Sequence, residues 1–153
     1  MNIVDCTTKE DLEMIKQKCK QVNNLDISSF DKWWTYILFC NKKNNNKCFI
    51  RILKEKDEII GFYAALYKIK SRVIKLYAIA TFKPETRGIG KILFDDFIVS
   101  SKELNGLYCE FDSDERFSGF HFFTHRYGFK PIKKKDDTHW YFKIGLQKNV
   151  FNY

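Results

Sequence analysis

Two glycines one residue apart, Gly88 and Gly90, stand between a run with strand alternation and a run with helical periodicity. That junction constrains the fold more than any other part of the chain. Upstream, residues 72–82 alternate, with Val73, Lys75 and Tyr77 set against Ile74 and Leu76. Downstream, Ile92, Leu93, Phe94, Phe97 and Ile98 recur at helical spacing. A strand that turns directly into a helix leaves the first helical amides unpaired and aims the positive end of the helix dipole at the loop. Glycine there lets a bulky anion approach the backbone, and Arg87 and Lys91 add positive charge beside it. Loop, dipole and side chains together favour a diphosphate. The spacing is not that of a nucleotide loop ending in Lys-Ser/Thr. It also differs from a dinucleotide-binding loop, because it follows an antiparallel meander and lacks a third glycine.

The rest of the chain supplies the frame. Residues 3–6 read as a short strand, and Thr7 or Thr8 caps a helix carrying Leu12, Ile15, Cys19 and Val22 on one face. Ser28 or Ser29 caps a second helix with Phe30, Trp33, Trp34, Ile37 and Leu38. A polar loop over 41–47 precedes strands at 48–53, 59–68 and 72–82, the first two joined by a turn at 56–58. After the glycine loop and its helix, Asn105-Gly106 stops the helix, and residues 107–111 form a strand. Asp112-Ser113-Asp114 caps a helix running to about Tyr127, Gly128 ends it, and strands at 129–133 and 139–146 close the chain. The order is β-α-α-β-β-β-α-β-α-β-β. It implies an α/β (α+β) fold with a mixed, largely antiparallel sheet of six to seven strands and helices on both faces.

At 153 residues, with 44% hydrophobic and 17% aromatic residues, the chain is expected to form one domain over 1–153 around a real core. No run approaches the ~20 apolar residues of a membrane span, and the N-terminus has neither the basic flank nor the apolar run of a signal peptide. The five cysteines (Cys6, Cys19, Cys40, Cys48 and Cys109) include no Cys-x-x-Cys pair. Their odd number fits buried thiols in a reducing cytoplasm better than a disulfide framework or a zinc site. A net charge of +8 favours anionic partners and leaves nucleic acid open as one, although the lysines are scattered rather than gathered in a stripe.

The strand, loop and helix over 76–94 resemble the coenzyme A-binding motif of the GNAT acetyltransferases, whose loop reads Gln/Arg-x-x-Gly-x-Gly/Ala. The aligned residues are Glu85-Thr86-Arg87-Gly88-Ile89-Gly90, which match in the second half and depart at Glu85. Further on, Phe123-Thr124-His125-Arg126-Tyr127-Gly128-Phe129 is similar to the family's Phe/Leu-Tyr-x-x-x-Gly-Phe, with Thr124 where the tyrosine usually stands.

The resemblance implies a GNAT-like acyl-CoA N-acyltransferase fold. It implies acetyl-CoA as co-substrate, no metal, and direct attack by a primary amine on the thioester in a ternary complex. The coenzyme's pantetheine arm pairs with the strand edge at Ile79, Ala80 and Thr81, and Arg87, Gly88, Ile89, Gly90 and Lys91 hold the diphosphate. A backbone amide near 78–80 polarises the acyl carbonyl. The acid that protonates the departing thiolate falls to Thr124, with Tyr127, Tyr108 or a water as alternatives, and Glu110 or Asp112 serves as base toward the amine. His121 and His125 stand four apart with no evident third metal ligand and read as a surface or groove pair. Trp33, Trp34 and His139 are the candidate acceptor-binding residues. The acceptor is a small molecule, a protein or an aminoacyl-tRNA, and the protein is a monomer or a homodimer. Thr124 and Glu85 equally suit a non-catalytic coenzyme-binding domain of the same fold acting as a binding or regulatory protein.

Overall fold

The structure is a computed structural model, and it describes residues 1–21, 46–83, 86–116 and 118–146. Strands β1 (Asn2–Asp5), β2 (Asn46–Glu55), β3 (Glu58–Lys68), β4 (Val73–Thr81), β5 (Tyr108–Asp114), β6 (Lys133–Lys134) and β7 (His139–Gly145) form one sheet of seven strands in the order β1-β2-β3-β4-β5-β7-β6. Only the β4–β5 pair is parallel; the other neighbours are antiparallel. The helices are α1 (Lys9–Lys20), α2 (Ile89–Glu103) and the short α3 (Ser118–His121), which runs on into a π-helical turn, Phe122–Arg126.

Local chemistry explains these elements. Thr8 caps α1, its Oγ1 accepting from the Asp11 amide at 3.1 Å. The β2–β3 hairpin turns where the sequence indicates, with Lys56 in the left-handed region at φ 56°. β3 is buried almost throughout because both of its faces are covered. Tyr63 and Ala65 pack with Leu93, Phe94 and Phe97 of α2. Phe62 and Ala64, on alternate positions, pack with Leu12, Ile15 and Cys19 of α1. The sheet therefore carries a helix on each face.

Two features dock α2. Gly61 on β3 lies beneath its first turns, where a Cβ would sit 2.9 Å from Leu93 Cδ1, 3.0 Å from the Ala80 carbonyl and 3.2 Å from Ile89 Cγ2. Farther along, Asp96 accepts from the Tyr63 hydroxyl at 2.6 Å and from Arg51 Nε at 3.2 Å. Arg51 also reaches Asp5 at 2.8 Å, so one guanidinium ties β1 and β2 to α2.

The expected elements differ in three places. β5 runs on to Asp114, so residues 112–114 extend a strand and do not cap a helix. Asp112 pairs with Lys135 at 2.9 Å, and Asp114 accepts from Arg116. The helix expected up to Tyr127 is a single α turn followed by the π turn. Of the strand expected at 129–133, only Lys133 is in a strand, the two-residue Lys133–Lys134 that pairs with β7. The expected helix carrying Trp33 and Trp34 lies outside the described residues, as do Glu85 and the tail.

Candidate functional site

The site begins where β4 and β5 part. They pair only from Val73 to Lys75 against Tyr108 to Glu110. Immediately afterwards the β3–β4 register slips: Ala65 opposes Leu76 and Ala64 opposes Ala78, leaving Tyr77 as an extra residue. Such a bulge bends its strand. β5 instead stays with β7 over its whole length. Beyond Lys75, then, the β4 edge that faced β5 loses its partner, and Ile79, Ala80 and Thr81 lie along it.

A cleft of about 820 Å³ fills this divergence, within the range usual for small-molecule sites. β4 contributes Ile79, Ala80 and Thr81; the loop and α2 contribute Arg87, Gly88, Ile89, Gly90 and Lys91. All eight residues expected to hold the coenzyme therefore meet in one cavity. Gly88 is the N-cap of α2, with φ 90° and ψ −4°, a conformation that glycine adopts without strain. It supplies no side-chain cap, and the first turn of α2 holds no acidic residue. The leading amides lack a side-chain cap, and the residues that carry them line the cleft. A Cβ at Gly88 or Gly90 would meet no protein atom within 4 Å, so the space beside the loop is open to a ligand.

The charges are less simple than the sequence implies. Arg87 is exposed. Lys91 is held by Asp95 at 2.6 Å, and the other oxygen of Asp95 accepts from the Tyr127 hydroxyl at 2.6 Å. Burial pushes the Asp95 carboxyl up, but the bonds from Lys91 and Tyr127 outweigh it and hold it below the usual range. The last wall comes from α3 and the π turn through Gly119, His121, Phe122, Phe123, His125 and Arg126. Sequence reasoning left these residues out of the coenzyme site. The four-residue spacing of the histidines was the available signal.

A second cavity of about 540 Å³ lies at β1, β2 and the end of α2, lined by Asp5, Arg51 and Glu103 among others, away from the glycine loop.

No known sequence family matches the chain, and no curated protein does. Solved structures do. A Desulfovibrio desulfuricans protein assigned to the GNAT acetyltransferase family superimposes with a TM-score of 0.79 at 11% identity, over 95% of this chain and 99% of that one. The ribosomal-protein-S18-alanine N-acetyltransferase of Escherichia coli gives 0.71 at 12% identity, covering 99% and 97%. The PaiA N-acetyltransferase of Thermoplasma acidophilum, solved with coenzyme A, gives 0.64 at 19% identity, covering 95% and 99%. The chain has the GNAT fold.

Within that GNAT fold, the side chains expected to do chemistry are engaged elsewhere. Thr124 Oγ1 donates to the Phe120 carbonyl at 2.9 Å, back along its own turn. Tyr127 places its ring among Phe94, Phe122 and Phe129, with centroids 4.9 to 5.2 Å away, and gives its proton to Asp95. Burial, and then that bond, push its phenol well above the usual range. Neither side chain lines the cleft. Tyr108 stands half-exposed with Lys143 Nζ 4.4 Å over its ring.

Glu110 sits at the last paired position before the strands part. Its neighbours on β5, Cys109 and Phe111, pack with the α2 core, so Glu110 projects from the opposite face. Its carboxylate accepts from Tyr141 at 2.5 Å and pairs with Lys68 at 3.1 Å. Burial raises its pKa, but Tyr141 and Lys68 outweigh burial and hold the carboxyl below the usual range. A carboxylate stabilised in this way is a weak base and a good electrostatic anchor for an ammonium group. His139 lies at the far end of β5, paired with Asp114, with Nδ1 2.9 Å from Asp136 and Nε2 3.6 Å from Asp114. It does not line the cleft. Trp33 and Trp34 lie outside the described residues.

Proposed function

We propose that the protein is an acetyl-CoA-dependent N-acetyltransferase that moves an acetyl group to a primary amine by direct attack in a ternary complex. One observation carries the reading. A left-handed glycine N-cap without a side-chain cap opens into the cleft where two parallel strands diverge. Helix amides and Arg87 hold the coenzyme's diphosphate, and the β4 edge from Ile79 to Thr81 takes the pantetheine amides as a further strand would. The Thermoplasma neighbour solved with coenzyme A supports the choice of ligand.

The acceptor comes to the opposite face, where Glu110 holds the incoming ammonium, with Trp33, Trp34 and His139 proposed around it. The amine loses its proton to water and bonds to the acyl carbon, whose oxyanion is met by a β4 amide near Ala80. The carbon–sulfur bond then breaks and the thiolate departs. Because Thr124 and Tyr127 spend their protons on Phe120 and Asp95, the thiolate takes its proton from water. The neighbour that acetylates ribosomal protein S18 supports a protein terminus as acceptor. Buried free thiols at Cys6, Cys19, Cys48 and Cys109 support a reducing, cytoplasmic setting, and no helix among the described residues is long and apolar enough to cross a membrane.

The same engaged hydroxyls favour a second reading: a domain that binds coenzyme A without turnover, in a binding or regulatory role. Calorimetry with acetyl-CoA, followed by thiol release with a panel of amines and N-terminal peptides, separates the two. Binding with amine-dependent thiol release is the expected result. Binding without release across the panel selects the second reading, and failure to bind any acyl-CoA sinks both.

A further inference from the structure

On the cleft wall built by α3 and the π turn, the imidazoles of His121 and His125 lie face to face, with centroids 5.5 Å apart and planes 13° from parallel. Both residues line the cleft, as does Arg126. Among the described residues, neither ring has a hydrogen-bond or ion-pair partner. No group of three potential metal ligands occurs among those residues either. Among the described residues, the other charged groups lining the cleft are Arg87 of the loop and Lys91 of α2, the latter held by Asp95, which Tyr127 also engages. β4 offers Ile79, Ala80 and Thr81, none of which ionises. The wall thus presents two titratable donors and a guanidinium, with no carboxylate among the described lining residues.

We propose that His121, His125 and Arg126 form a second phosphate-binding site, which holds phosphoryl oxygens of the coenzyme apart from those taken by the loop amides and tightens when the imidazoles are protonated. This rests on the coenzyme-binding reading above. Phosphoryl oxygens accept a stronger hydrogen bond from an imidazolium than from a neutral imidazole. An anion beside the rings favours the protonated form, and binding is therefore coupled to proton uptake. The direction follows: the bound state carries more protons, so affinity rises as pH falls through the range near 6.5 where imidazoles ordinarily titrate. The limit is about tenfold per pH unit for each proton taken up.

Calorimetry at about pH 8 and about pH 6, bracketing imidazole titration, tests the site with coenzyme A, dephospho-coenzyme A and pantetheine. Dephospho-coenzyme A lacks the 3′-phosphate, whose own second ionisation falls near pH 6, as in other phosphomonoesters. The dissociation constant of dephospho-coenzyme A is expected to fall about three- to tenfold at the lower pH, with proton uptake visible in buffers of different ionisation enthalpy. Pantetheine should show neither effect. The double substitution His121→Gln and His125→Gln should abolish both, with folding checked by circular dichroism. Dependence with both nucleotides assigns the pair to the diphosphate. Dependence with coenzyme A alone, lost in the double variant, assigns it to the 3′-phosphate. The chain has 3 His, so imidazole proton resonances give an independent readout: two move on binding, while that of His139 on β7 does not. Undiminished binding that is flat with pH, or a pH dependence that survives the double variant, overturns this site but leaves coenzyme binding intact. Failure of both nucleotides to bind at either pH overturns both readings.

Discussion

One methyl group, added at either glycine of the loop, separates backbone strain from ligand contact. Neither Gly88→Ala nor Gly90→Ala brings a new Cβ within 4 Å of a protein atom, so packing drops out of the comparison. Gly90 is inside α2 and lacks the positive φ found at Gly88. Alanine there restricts the unfolded chain and suits the helix, and is expected to stabilise the protein by about 0.5–1 kcal/mol. At φ 90° the same alanine at position 88 meets left-handed strain and is expected to destabilise by about 1–2 kcal/mol. The two variants should thus straddle the wild type, about 2 kcal/mol apart. In a domain of this size that is a rise of about 1–4 °C in Tm for Gly90→Ala and a fall of about 2–8 °C for Gly88→Ala. Urea unfolding with m-values held in common measures the difference. Coenzyme titration supplies the second axis. Gly88→Ala re-aims the amides of Ile89 and Gly90 and should weaken binding at least about tenfold, the loss expected when a charged ligand forfeits aligned donors. Gly90→Ala should bind within a few-fold of wild type, because the GNAT loop accepts alanine at that place. If both variants shift stability in the same direction, or Gly88→Ala binds normally, the loop is a turn and not an anion cradle.

Gly61→Ala should destabilise by about 1–2 kcal/mol, because its methyl crowds Leu93, Ile89 and the Ala80 carbonyl and lifts the start of α2; wild-type stability would refute the close approach. Glu110→Gln should cost about 1 kcal/mol at neutral pH. The Glu110 carboxyl is held below its usual value, so its stabilisation is present above about pH 4.3 and lost below it. Acid titration of stability should therefore be flatter in the variant, and an unchanged acid limb would refute the assignment. Tyr127→Phe removes the bond to Asp95 and should lower stability by about 1 kcal/mol with kcat within threefold; a loss of 100-fold or more in kcat would restore Tyr127 as the acid.

The fold was legible because its signals are local. The apolar run of β3, the alternation of β4, the turn at Lys56, the Thr8 cap and the glycine-led start of α2 each depend on neighbours a few residues away. The opening between β4 and β5 was not readable residue by residue, since it depends on where pairing between distant strands stops and on the extra residue at Tyr77. The family resemblance supplied it instead. The hydroxyls expected to supply the acid, on Thr124 and Tyr127, are bonded within the protein. The segment over 118–127 winds as a π turn from Phe122, with the Tyr127 amide reaching the Phe122 carbonyl at 3.4 Å. A wider turn redistributes which side chains face each wall. Thr124, aligned by sequence with the family's tyrosine, returns its hydroxyl to Phe120, and Tyr127 closes onto Asp95. His121, His125 and Arg126 are the ionisable residues this segment places on the cleft wall. A one-residue alignment is therefore a weak guide to chemistry here: the position is kept, the direction is not, and the ionisable groups this segment brings to the cleft are two imidazoles and a guanidinium.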